Sequence, residues 1–209
     1  MREIDSEDLK SRVSSGNESV AGELFEAYRP RLRRLVSLRM HPRLQSRVDA
    51  SDVLQEVYLE VARRFPDYAS DQEIPFFLWL RMLTGKHLIA LQRKHLGAEK
   101  RTALREIPLV TDHMPNASVA NLASHLAGSF TSVDRRLIHD ELFAKLLKTL
   151  EDVQPEDREI IAMRHFEELS TSEIATVLGL TRSGVLKRYT RAIRRLRVAA
   201  FGDQDIQFQ

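Results

Sequence analysis

Residues 169–197 constrain this chain more than any other stretch. They read as a short capped helix, a turn centred on Gly179 and a longer helix. Ser170 or Thr171 caps the first helix, and Glu173 completes a capping box if Ser170 is the cap. Gly179 ends that helix, as a residue in the left-handed region does. Thr181 caps the second helix. Ile174, Ala175 and Leu178 face inward, with Ala175 small because the second helix crosses close to it. Val185, Tyr189, Ala192, Ile193 and Leu196 make the inward stripe of the second helix. Its outward face carries Arg182, Lys187, Arg191, Arg194 and Arg195. From Gly179 to Arg197 there are seven Lys or Arg residues and no acid. This is the pattern of a helix-turn-helix whose second helix enters the major groove of DNA. Positions near the start of such a helix read bases, and later ones meet phosphates. Lys187, Thr190 and Arg191 are therefore the expected base readers, with Arg182 and Ser183 nearby. The alternative is a solvated basic helix.

Composition narrows the rest. With 43% hydrophobic and 30% charged residues, the 209-residue chain can bury a core and stay soluble. Its Leu, Ala, Arg and Glu content favours helix. No cysteine is present, so disulfides and thiolate metal sites are excluded. No apolar run approaches the ~20 residues needed to span a bilayer. The N-terminus is acidic and unlike a signal peptide, which leads to an expectation of a cytoplasmic protein. Charge alternates in blocks. Arg29 to Arg47 holds seven arginines and no acid, and Asp49 to Glu60 is acidic. Arg81 to Arg105 is basic again, and Asp140 to Glu173 is acidic on balance. Such blocks point to more than one partner surface, with solvated helix faces as the plain alternative.

Apolar spacing predicts an all-α fold. One helix runs from Ser19 to Met40, capped by Asn17 or Ser19, with Pro30 expected to kink or divide it. A second runs from about Ser51 to Phe65, capped by Asp49 or Ser51 and stopped by Pro66. A third starts at Pro75, with Gly85 interrupting it. Phe77 and Trp79 are read as core residues, with stacking on bases as the other use. Residues 1–96 then form one bundle. Residues 97–131 read as a flexible linker, although Leu122 and Leu126 are able to dock. Residues 132–199 form a second bundle, with helices over about Val133–Leu150 and after Pro155 and then the helix-turn-helix. Residues 200–209 are a tail.

The N-terminal half narrows the identity. Asp49-Ala-Ser-Asp-Val-Leu-Gln-Glu-Val-Tyr-Leu-Glu-Val-Ala-Arg-Arg-Phe65 resembles the core-polymerase-binding helix of the sigma-70 family. Phe76-Phe-Leu-Trp-Leu-Arg-Met-Leu83 resembles the aromatic segment that follows in the family's small extracytoplasmic-function (ECF) members. Residues 133–197 resemble the group's promoter-binding C-terminal domain. The resemblance implies that residues 1–96 correspond to sigma region 2 and residues 132–199 to sigma region 4. It implies that Asp52, Gln55 and Glu56 grip the β′ clamp helices of core RNA polymerase, with the β flap as a further contact. It places Lys86, His87, Arg93 and Lys94 in and after a loop that captures an extruded base of the −10 element, where cations hold the displaced strand. Lys187, Thr190 and Arg191 correspond to readers of the −35 element. Two departures stand out. Leu186 occupies a position where relatives often carry Lys or Arg, and the Gly85 region lacks a common asparagine.

The implied function is an alternative sigma factor that binds core polymerase and directs promoter-specific initiation, with an anti-sigma factor as a further partner. The competing reading is a stand-alone helix-turn-helix regulator. No phosphate-binding Gly-rich loop, His-Glu-x-x-His spacing or catalytic constellation occurs. His165 reads as structural. The expectation is a non-enzyme with no cofactor and no metal.

Overall fold

The computed structural model describes residue 13 and residues 18–96, 117–130 and 136–201, and among them every regular element is helical. The chain order is α1 (Glu18–Arg39), α2 (Pro42–Gln45), α3 (Ala50–Ser70), α4 (Phe76–Leu96), α5 (Val119–Phe130), α6 (Arg136–Asp152), α7 (Pro155–His165), α8 (Thr171–Leu178) and α9 (Arg182–Phe201). Asn17, the other proposed cap of the first helix, and Val133 lie outside the described residues.

Helices α1, α3 and α4 pack on one another as the first bundle. Leu24, Phe25, Leu32, Leu35 and Val36 of α1 meet Val53, Leu54, Val57, Val61 and Phe65 of α3, all buried. Asp49 caps α3 through a capping box closed by Asp52. The prolines do less than their local chemistry predicts. Pro30 lies inside an undivided α1, and α3 runs through Pro66 to Ser70. An interior proline costs about 3 kcal/mol, whereas each large apolar side chain buried contributes about 1.5–3 kcal/mol. Residues on both sides of each proline are buried in the same core, so burial wins. Beyond Pro66, Tyr68 stacks on Trp79 with ring centroids 4.5 Å apart, and its hydroxyl donates to the Ile74 carbonyl at 2.8 Å. Gly85 likewise does not interrupt α4. Its neighbours Leu83, Thr84 and Leu88 are buried, and the Thr84 hydroxyl donates to the Leu80 carbonyl within the helix.

Part of the span read as linker is structured. Helix α5 packs against α6 and α1, with Leu122, Ala123 and Leu126 buried. The Asn121 side-chain amide donates to the carbonyls of Ser37, Leu38 and Met40, closing the C-terminal end of α1. Residues 97–116 lie outside the described set. Helices α6, α7 and α9 form the second bundle around Leu142, Leu146, Leu150, Ile161, Ala192 and Leu196, and α8 packs against α7 and α9. Helix α9 continues to Phe201, slightly into the expected tail.

The bundles share apolar core, since Ile160, Met163, Ile174, Ala175 and Val185 join the first bundle's cluster, and a buried ionic cluster also links them. Glu167, in the turn after α7, is 0% exposed. It accepts from Arg39 Nε at 2.7 Å and from Arg81 Nε at 2.6 Å. A second acid, Glu159, pairs with Arg39 Nη1 at 2.8 Å and also accepts the Ala117 backbone N–H at 2.6 Å. Nearby, Arg31 donates to the carbonyls of Glu167 and Glu168 and lies 3.5 Å from the Phe77 ring centroid. Arg34 donates to the Phe166 carbonyl and pairs with Glu168. These bonds brace the turn where Glu168 adopts φ 54°, a left-handed conformation uncommon for a residue with a Cβ. Arg31, Arg34 and Arg39 of the arginine block at 29–47 are thus turned onto the protein's own second bundle.

Burial alone would raise the Glu167 pKa. The Arg39 and Arg81 guanidiniums overcome that and hold it down at about 2, against 4.5 for an ordinary glutamate. A depressed carboxylate stabilises the fold fully above its unfolded pKa, and the contribution drains away as pH falls toward the folded value. Unfolding free energy measured by urea titration therefore declines between pH ~4.5 and ~2, and Glu167→Gln flattens that decline. At neutral pH Glu167→Ala costs about 3–5 kcal/mol, because it takes a buried carboxylate away from Arg81 and from Arg39, which retains Glu159.

Candidate nucleic-acid interface

The helix-turn-helix is assembled from short-range signals. The Ser170 hydroxyl accepts from the Glu173 N–H at 3.2 Å, and the Glu173 carboxylate accepts from the Ser170 N–H at 2.7 Å. Gly179 sits at φ 63°, ψ 30° and closes α8, while the Leu180 N–H reaches back to the Ala175 carbonyl at 3.0 Å. The Thr181 hydroxyl accepts from the Gly184 N–H at 3.1 Å and so caps α9. Val185, Ala192 and Leu196 are buried, and Ala175 is buried in the same apolar cluster as Val185.

That inward stripe turns the opposite face to solvent. Arg182, Ser183, Leu186, Lys187, Thr190, Arg191, Arg194 and Arg195 are all exposed. One expected base reader is already engaged: Arg191 Nη2 lies 3.1 Å from Asp157 Oδ2. Arg188 pairs with Glu156 at 2.6 Å, and its Nη1 lies 3.6 Å from the second Asp157 oxygen. Asp157 is 2% exposed, and that second oxygen has no hydrogen bond among the described residues. A buried carboxylate aimed at the basic helix holds Arg191 in place and limits its reach. Asp157 escaped the sequence reading because an acid in the first turn after Pro155 looks like ordinary complement to the helix dipole. His165 is structural: it stacks on Tyr189, with Nε2 2.9 Å from the Tyr189 hydroxyl.

The second set of expected residues lies on the first bundle. Asp52, Gln55 and Glu56 are exposed on α3. Asp52 has a structural duty as well, because its carboxylate accepts the Asp49 N–H at 3.3 Å. These three residues line a shallow groove of ≈ 510 Å³ together with His87 and Lys94. An adjoining groove brings Glu56 and the exposed Leu59 to Lys86 and His87. Arg93 is exposed one turn from the end of α4. Lys86 and His87 were expected in a loop. They lie instead on an unbroken helix, for the reason that keeps Gly85 helical. The structure thus gathers Asp52, Gln55, Glu56, Lys86, His87 and Lys94 on one surface, while Arg182, Ser183, Lys187, Thr190 and Arg191 form another on α9. Phe77 and Trp79 are buried and serve the core. Among the described residues no three His, Asp or Glu side chains are placed to hold a metal ion, and no helix is long and apolar enough to cross a membrane.

Residues 4–201 match the family model described as ECF sigma factor. The chain belongs to the ECF sigma factor family. Among its relatives, the RNA polymerase sigma-E factor of Streptomyces avermitilis is 31% identical over 150 residues, covering 72% of this chain and 70% of that one. The RNA polymerase sigma-H factor of Pseudomonas aeruginosa is 25% identical over 184 residues, covering 88% of each. The fold is similar to that of CnrH, solved in complex with the cytosolic domain of CnrY. The TM-score is 0.51 at 21% identity, with 95% of this chain and 98% of that chain covered. The sigma factor is accordingly an alternative sigma factor directing transcription initiation, and the reading as a stand-alone regulator is not favoured.

Gly179 offers a test of the local architecture. A Cβ placed there meets nothing within 4 Å, so the penalty of Gly179→Ala is backbone strain alone. The variant loses roughly 1–2 kcal/mol in thermal or urea unfolding, with no change in the unfolding slope.

Proposed function

We propose that this sigma factor works through two separate grips. Asp52, Gln55 and Glu56 engage core RNA polymerase at the β′ clamp helices. Lys86, His87 and Lys94, on the same surface, together with the exposed Arg93, hold DNA at the −10 element as it opens. On the second bundle, Arg182, Ser183, Lys187, Thr190 and Arg191 meet the −35 element, and that bundle also contacts the β flap. Residues 1–96 and 132–199 are the two functional domains, 97–131 joins them, and 200–209 is a tail. The chain acts in the cytoplasm by binding energy alone: it hydrolyses no nucleotide and needs no cofactor. An anti-sigma protein is a further partner; CnrH, similar in fold, is itself found in complex with the cytosolic domain of another protein, CnrY.

The observation that carries this reading is the outward face of α9, exposed, basic and free of acid, on a helix locked by a buried stripe. The groove that sets Glu56 beside His87 adds to it, because it puts an acidic face for a basic polymerase helix next to cations for a DNA strand. Initiation assays with core polymerase on genomic DNA, with start sites mapped, test the whole. Absence of any chain-dependent start overturns it.

Finer outcomes separate the grips. Gln55→Ala with Glu56→Ala, which spares the Asp52 cap, weakens core-polymerase binding by roughly tenfold, about 1.4 kcal/mol, in a fluorescence-anisotropy titration. The same pair leaves DNA binding by α9 unchanged. Lys187→Ala weakens promoter binding by about 1–3 kcal/mol if it reads a base. If it meets a phosphate instead, the slope of log affinity against log salt falls by about one.

A further inference from the structure

We propose that Leu186 reads the 5-methyl group of a thymine in the major groove of the upstream promoter element. The proposal rests on the reading of α9 as the promoter-facing helix and adds a residue to it. Among the described residues the large exposed hydrophobics are Tyr58, Leu59 and Leu186. Tyr58 and Leu59 belong to α3, and the Tyr58 ring is in contact with Phe25. Leu186 belongs to α9 and is 57% exposed. It follows the buried Val185, so it points away from the core that anchors the helix.

Its neighbours define what it can meet. On a helix, positions three and four apart share a face. Leu186 therefore lies between Ser183 and Arg182 on one side and Thr190 on the other, all exposed. An apolar side chain framed by hydroxyls and a guanidinium suits a surface that is anionic at its edges and carries a methyl group inside. Duplex DNA is such a surface. Phosphates line both walls of the major groove, and the thymine 5-methyl is the apolar group on its base edges. Leucine can neither donate nor accept a hydrogen bond. It therefore leaves the polar groups of any base edge unpaired, thymine O4 included, and only thymine offers a methyl group in exchange. The methyl contact is thus what separates thymine from the other bases at this position.

The test uses the full-length chain with core polymerase and a promoter pool randomised upstream. Wild type enriches an element with a thymine at a fixed position opposite the start of α9. That thymine is then replaced by deoxyuracil, which keeps every hydrogen-bonding group and lacks only the methyl. Binding by wild type weakens about fourfold, the value of one buried methyl. Leu186→Ala binds the thymine and uracil forms equally. Leu186→Met, which keeps an apolar side chain, retains discrimination. Both variants unfold at the wild-type temperature, since the side chain is exposed. Equal affinity of wild type for thymine and uracil at every enriched position overturns the role of Leu186 and leaves the promoter reading standing. Loss of core-polymerase affinity in Leu186→Ala, without thymine–uracil discrimination in wild type, also overturns it and reassigns the leucine to a protein contact. If wild type enriches no element and Lys187→Ala changes nothing, the promoter reading falls, and this proposal falls with it.

Discussion

Glu167 joins the two bundles, and much of the remaining structure is arranged around its charge. Fully buried, a lone carboxylate costs several kcal/mol to desolvate. Arg39 from α1 and Arg81 from α4 supply the compensation, and Glu159 balances the second positive charge. The cluster so holds two acids and two guanidiniums, each within reach of an opposite partner. Arg31 and Arg34 brace the backbone on either side of Glu167. That bracing stabilises the left-handed Glu168, and the chain then turns directly into the Ser170 cap of α8. The first helix of the helix-turn-helix is thus oriented by arginines from the other half of the chain.

This arrangement divides the arginines into two kinds. Those of α9 face solvent, and among the described residues Glu156 and Asp157 on α7 pair with Arg188 and Arg191. Those of α1 and α4 that meet the 166–168 turn are spent on the protein's own backbone and carboxylates. The difference matters for partner binding, because an exposed guanidinium keeps its affinity for phosphate while a buried paired one does not. Asp157 is intermediate. It holds Arg191 at the basic face of α9, with its other carboxylate oxygen without a hydrogen bond among the described residues. The arrangement trades some stability for a fixed side-chain position.

The helix-turn-helix was legible because its signals are local. A hydroxyl cap followed three residues later by an acid, a glycine at the helix end and an apolar stripe at helical spacing each act within a turn or two of chain. Ser170, Glu173, Gly179 and Val185 fell where those rules put them. The same rules misread Pro66, Gly85 and the docking of α5. There the local preference is worth about 1–3 kcal/mol, and burial of Tyr68, Leu88, Leu122 or Leu126 outweighs it. Glu167 was invisible for a related reason. In a run such as Phe166-Glu-Glu-Leu169, either acid reads as solvated, and nothing nearby in the chain reveals that Arg39 and Arg81 close over one of them.

By itself, then, the sequence determined the helical class, the caps and turn that build α8 and α9, and the basic composition of the outward face of α9. These depend on contacts no more than a few residues apart, whose energetics a linear pattern records. Tertiary structure decided which arginines remain available, which prolines are overridden, and that Lys86 and His87 lie on a continuous helix beside Glu56. Those outcomes depend on charge pairs and buried surface brought together across 80 to 130 residues of chain, as in Arg81–Glu167 and Arg39–Glu167. Over such separations only the packed fold brings the partners within reach of one another.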